Sequence, residues 1–244
     1  MTALFLGNTT VLNTNAGVKT GSPSVNVGSY GIAFLVNTGE TTAPTFSDNA
    51  GDGGTWADCG LGAILKNTSA DAMWVYVRDR PFGASAITLT YTPGATDTGG
   101  GYFVYLLGLS GGGAGGPSRY GLPSIRQIVR QANKASGVTP NPAFAVNALP
   151  GNVIIGAVFS GTNGASVTQP SGFTESSDTG YTVPAAGLET VHQLSGFSGT
   201  TVTWGSAPAS AYCDVIVEID VGTVISNANL VPPLGQAVNR GATW

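Results

Sequence analysis

The chain has 244 residues, and its 9 Lys or Arg and 13 Asp or Glu make only 9% of it charged, against about 25% in an ordinary soluble domain. A net charge of −4 excludes a general nucleic-acid surface, because neutralising phosphates requires a basic face. The surface is therefore mostly Gly, Ser, Thr, Asn and apolar side chains, a kind more at home under neighbouring subunits than in dilute solution.

With 37 Gly and 14 Pro between short runs rich in Val, Ile, Tyr and Phe, the composition is that of many strands joined by tight turns. Residues 1–28 are mostly polar with one apolar patch, Leu4 to Leu6, and read as an N-terminal arm or an extra edge strand. Strand signals then follow at Tyr30 to Val36, Leu61 to Leu65, Met73 to Val77, Ile87 to Tyr91 and Tyr102 to Leu109. Each ends in a Gly, Pro, Asn or Asp cluster. The third and fourth read as neighbours joined through Pro81 to Ser85.

The glycine tract Ser110 to Ser118 is a flexible excursion. Beyond it, Ile125, Ile128, Val129 and Ala132 recur at helical spacing after Pro123, so Ser124 to Ala135 fits a short amphipathic helix or a strand. The second half repeats the earlier grammar with Ala143 to Val146, Asn152 to Ser160, Leu188 to Leu194, Thr200 to Trp204 and Ala211 to Val221. Tyr102 to Leu109 and Val153 to Phe159 lack alternation and belong inside a sheet covered on both faces. Cys213 to Val221 alternates cleanly, which predicts one core face and one wet or interfacial face. The predicted fold is all-β: a two-sheet antiparallel β-sandwich over residues 29–222, with an arm at 1–28 and a docking tail at 223–244.

No motif specifies chemistry. In and beside the cluster Ser47 to Trp56, Asp48, Asn49, Asp52 and Asp58 offer hard oxygen ligands to calcium, but position twelve from Asp48 is Cys59, where a calcium loop needs Glu. A hairpin turn explains the same residues. His192 is the only histidine, no nucleophile elbow accompanies it, and no carboxylate pair stands out. Cys59 and Cys213 lack metal spacing. No cofactor, metal or catalytic residue is expected. The opening residues lack the basic region of a signal peptide, and no run of about 20 apolar residues would span a bilayer.

Two sets of contact residues remain. Trp56, Trp204 and Tyr181 are candidates for stacking on a glycan or a partner. Residues 98–174 hold four bases, Arg119, Arg126, Arg130 and Lys134, and no acid, so these bases, with the terminal Trp244, are candidates for contacts between subunits.

The turn Ser47 to Trp56, the strand Met73 to Val77, and Ile87 to Tyr91 running on to Tyr102 to Gly111 resemble a β-sandwich module of tailed-bacteriophage virion proteins. Val167 to Thr174 resembles its proline, glycine and aromatic turn. The resemblance spans residues 30–222 and implies a jelly-roll-like, non-enzymatic virion structural protein, assembled in the host cytoplasm. It also implies a homo-oligomer that decorates or cements the capsid by contacts with other virion proteins, without membrane or direct nucleic-acid contact. A tail or adaptor component, or a carbohydrate-binding sandwich module, is the alternative.

Overall fold

The computed structural model describes residues 4–11, 18–66, 71–94, 100–107, 121–162, 167–182 and 185–220. The first half forms β1 (Leu4–Val11), β2 (Lys19–Gly21), β3 (Tyr30–Asn37), β4 (Thr45–Asp48), β5 (Trp56–Asp58), β6 (Ile64–Leu65), β7 (Ala72–Arg78), β8 (Leu89–Thr92) and β9 (Gly100–Leu107). The second half forms β10 (Ile125–Lys134), β11 (Val153–Ser160), β12 (Thr174–Thr182), β13 (Ala185–Gln193) and β14 (Tyr212–Ile219). A 3-10 turn, Leu122–Ser124, leads into β10.

Three antiparallel sheets result. One runs β1-β9-β3-β7-β5, with β6 also on β7; one runs β10-β14-β11-β13-β12; a small one runs β2-β8-β4. The two large sheets pack face to face through one core. Ile32, Phe34 and Val36 of β3 and Met73, Val75 and Val77 of β7 meet Val153, Ile155 and Phe159 of β11 and Val215, Val217 and Ile219 of β14. The chain is thus the expected all-β sandwich. Strands do not alternate between the sheets as in a jelly roll: each large sheet takes its strands from one half of the chain.

Each large sheet is also covered on its outer face, so β3, β7, β11 and β14 are buried along their whole length. On the first sheet Ala33, Leu35, Trp74 and Tyr76 lie beneath Phe46, Leu89 and Tyr91 of the small sheet. On the second, Ile154, Val158, Val191 and Ile216 lie beneath Phe144, Val167, Phe173, Val202 and Trp204, which come from loops. The clean alternation of β14 is therefore observed, but its second face is roofed over rather than wet.

Two open readings resolve and two further expectations change. Residues 1–28 fit an arm or an extra edge strand, and Leu4–Val11 is an edge strand paired with β9. The strands at 72–78 and 89–92 belong to different sheets, because the second pairs with β2 and β4. Ser124 to Ala135, open between a helix and a strand, takes the strand: β10 pairs with β14 along its length, and tertiary pairing outweighs a weak helical period. The predicted strands at 143–146 and 200–204 are reduced to one bridge, Ala143 with Thr201. Residues 223–244 lie outside the described residues.

Candidate functional site

The Asp and Gly turn before Trp56 is organised by one buried cation. Arg78, at the end of β7, is 0% exposed. Its Nε donates to Asp48 Oδ2 at 2.8 Å, its Nη1 to the carbonyls of Arg80 and Pro81 at 2.8 Å each, and its Nη2 to Asp48 Oδ1 and Asp52 Oδ1. All five guanidinium protons are thereby used. Its plane lies 4.5 Å from the centre of the Phe82 ring and hard against Gly54, where any Cβ would collide with it. Burial alone would raise the Asp52 carboxyl, but hydrogen bonds from Arg78, Gly54 and Gly83 hold it down at about 2. The oxygens that suggest a calcium loop are committed to a guanidinium and to turn amides. Among the described residues no group of three or more His, Cys, Asp or Glu could hold a metal ion.

The outer face of β14 carries two acids with opposite surroundings. Glu218, 0% exposed, accepts from Arg126 and Gln127 at 2.6 Å each, from the Leu149 amide at 2.9 Å and from Asn152 at 2.7 Å. Burial raises its pKa, yet these donors win and hold it below the ordinary range. Asp214, four residues earlier, is also 0% exposed, and neither of its oxygens accepts a hydrogen bond. Burial pushes it up to about 7 against the opposing charge of Lys134.

Asp214 and Glu189 flank Val158 on one cross-strand row. Burial pushes Glu189 up to about 8, opposed by the Val167 amide and reinforced by the carboxylates of Asp178 and Glu175. Its Oε2 accepts from that amide at 3.0 Å, while Oε1 has no partner. Trp204 Nε1 and the Tyr212 hydroxyl, buried in the same half, also make no hydrogen bond. These acids can hold protons at neutral pH, but the roof of loops stands between them and any substrate. His192 is buried too and shares a 2.7 Å hydrogen bond between its Nδ1 and Ser176 Oγ; burial lowers its pKa.

The residues singled out from sequence are dispersed. Trp204 is 2% exposed, which removes it from any exposed stacking platform. Its ring lies over Gly156, where a Cβ would sit 3.2 Å from Val191 Cγ2 and 3.6 Å from the ring itself. Trp56 is half-buried, packed edge-on against Phe46 at 4.6 Å, with its Nε1 donating to Asp48 at 2.7 Å. Arg126 and Arg130 do not share a face. A register shift between Ile125 and Gln127 sends Arg126 outward to Glu218, whereas Arg130 reaches across the sandwich to the carbonyls of Leu61 and Ala63. Arg126 thus finds its acid within the chain, where the sequence points to a neighbouring subunit. Lys134 is half-buried. Arg119, Trp244 and the side chain of Tyr181 lie outside what is described. Cys59 and Cys213 are free thiols on the central core.

No known protein family, characterised protein or solved structure matches this chain.

The residues that organise both outer faces, Arg78, Asp214, Glu189 and Glu218, escape a reading by motif. Their only signal is position: each is a charge inside an apolar strand run, where burial costs most.

Proposed function

We propose that this chain is a non-enzymatic structural protein of a bacteriophage virion, most concretely a decoration or cement protein that oligomerises and docks on other virion proteins. One observation supports this above all: the few charges are spent inside the fold. Lys19, Glu40, Lys66, Arg78, Glu189, Asp214 and Glu218 are buried. Among the described charged residues only Asp79, Arg80, Arg130, Glu175 and Asp178 are exposed, and the others are buried or half-buried. The outer surface is poorer in charge than the composition implies, and Val18, Val27, Val138, Val146 and Leu149 stand exposed on it. Such a surface favours being covered. The resemblance of Ser47 to Trp56 and its following strands to phage virion modules gives the setting, and a tail or adaptor component is the nearest variant. A carbohydrate-binding module is supported less, because Trp204 is in the core and the Trp56 indole is already engaged.

The oligomeric state of the purified chain, measured by light scattering, tests the proposal. A trimer or larger species is expected, persisting at about 1 M salt, where the screening length falls to about 3 Å and charge pairs lose their reach. A monomer under all conditions counts against assembly. Glycan-array binding abolished by Trp56→Ala would favour the carbohydrate reading instead. Immunogold labelling of particles of the phage that encodes the chain separates capsid from tail.

A further inference from the structure

The two large sheets have the same strand order. With β6, which pairs with β7 and has no counterpart in the second sheet, left out and each sheet's strands numbered in chain order, each runs first, fifth, second, fourth, third: β1-β9-β3-β7-β5 and β10-β14-β11-β13-β12. Every pairing in both is antiparallel. The registers agree as well. One row across the first sheet reads Asn8, Val104, Ile32, Val77, Ala57. The corresponding row across the second reads Ile128, Val217, Ile155, His192, Thr174.

One irregularity corresponds too. The first strand of each half slips register just before that row, between Phe5 and Gly7 opposite Leu106, and between Ile125 and Gln127 opposite Ile219; the further shifts between Gln131 and Lys134 and between Glu175 and Ser177 belong to the second half alone. A β-bulge is a specific local insertion, and two unrelated sheets have no reason to place one at the same point.

The outer covers continue the match. Thr45 pairs with Thr92 in the first half, and the Gly205 amide donates to the Thr168 carbonyl at 2.8 Å in the second. Beside these pairs stand Thr88-Leu89-Thr90-Tyr91 and Thr201-Val202-Thr203-Trp204, whose final rings are buried over Ala33 and Gly156 respectively. Lys19 lies opposite Tyr91, and Pro140 accepts from the Trp204 amide at 3.0 Å. Across the sandwich, β1 packs on β12, and β10 packs on β6, which shares β7 with β5. A two-fold axis would set the first strand of each half on the third of the other; β10 meets β6, the neighbour of β5 along β7, in place of β5 itself.

We infer that residues 4–107 and 121–220 are two copies of one β-unit, and that the sandwich core is the interface of a fused two-fold dimer. The partner fitted by each unit's inner face is a second copy of the unit. The faces carry the same kind of residues at corresponding positions, Tyr30 with Val153, Ile32 with Ile155 and Val36 with Phe159. The glycine tract Ser110 to Ser118 lies between the copies in sequence. The inference is independent of the virion reading.

The full chain with a protease site inserted into that tract tests it. After cleavage the halves are expected to co-elute at the 24.5 kDa of the intact chain, with an unchanged circular dichroism spectrum. Halves that part in buffer overturn the interface. When the cleaved halves are separated in denaturant and refolded singly, each is expected to run at twice its own mass. A folded monomer, or a half that folds only when its counterpart is returned, overturns the interchangeability of the faces. A crystal structure of the whole chain gives an answer that needs no isolated half. One rotation near 180° should superpose the two sheets strand for strand, and a different strand order in either half ends the inference.

Discussion

The two halves of this molecule solve one problem in two ways. Each must cover the outer face of a large sheet, of six strands in the first half and five in the second. The first half uses a small regular sheet and one arginine, and every donor of Arg78 is matched. The second uses loops, and beneath them Asp214 and one oxygen of Glu189 have no partner. The difference lies in particular side chains and not in the cover as a whole, because the loops supply Leu149 and Asn152 as donors to Glu218 and the first half leaves Asn37 Oδ1 and Asp58 Oδ1 unpartnered. The same scaffold therefore carries acids of opposite sign in their effect on stability.

The largest consequence should come from Arg78→Ala, which leaves Asp48 buried without its cation. A loss of ~3–5 kcal/mol in urea unfolding is expected, whereas a loss below ~1 kcal/mol would show that the network is incidental.

Next comes pH. Folded Asp214 and Glu189 keep protons up to about 7 and about 8, against ordinary values of 3.8 and 4.5. The unfolded chain thus binds fewer protons between those limits, and their contribution to stability falls as pH rises from about 4 to 8. His192, with a lowered pKa, acts oppositely below about 6.5. Asp52, held at about 2, contributes stability that is present above 3.8 and lost only as pH falls toward 2. Melting temperatures should therefore rise on going from pH 8 to 6.5. Asp214→Val should flatten that rise and gain ~1–3 kcal/mol at pH 8; a flat wild-type profile would contradict the burial of these acids.

Gly156→Ala should cost ~1–2 kcal/mol by crowding Val191, although the corresponding position in the first half is Ala33. A neutral outcome would mean that the Val191 side chain gives way. Arg130→Ala, removing an exposed side chain from two carbonyls, should cost no more than ~0.5 kcal/mol.

Much of the fold is legible in the sequence because burial on both faces leaves continuous apolar runs. Tyr30 to Val36, Met73 to Val77 and Asn152 to Ser160 fall within a residue of β3, β7 and β11. What escapes notice is equally physical. Thr174–Thr182 is a sheet-edge strand written in Thr, Glu, Ser, Asp and Gly, which carry no apolar period. Trp56–Asp58 is three residues held by β7. Thr200 to Trp204 alternates like a strand but makes only a bridge and turn bonds. Of the site, Arg78 and Asp214 are visible only as charges in apolar company, and nothing local says which acid finds donors and which does not.

In each half the first strand is hydrogen-bonded to the last. That pairing has a kinetic meaning. Neither sheet can close until its final strand has left the ribosome, because β1 waits for β9 and β10 for β14. Nearly all the ladder contacts are long-range, and chains of this kind fold in about milliseconds to seconds rather than microseconds. Until Leu107 emerges, the apolar face of β3 and β7 stands open beside an unpaired edge. The nascent first half is thus the stage most exposed to misassociation, and a chaperone or a rapidly following second half is what would shield it.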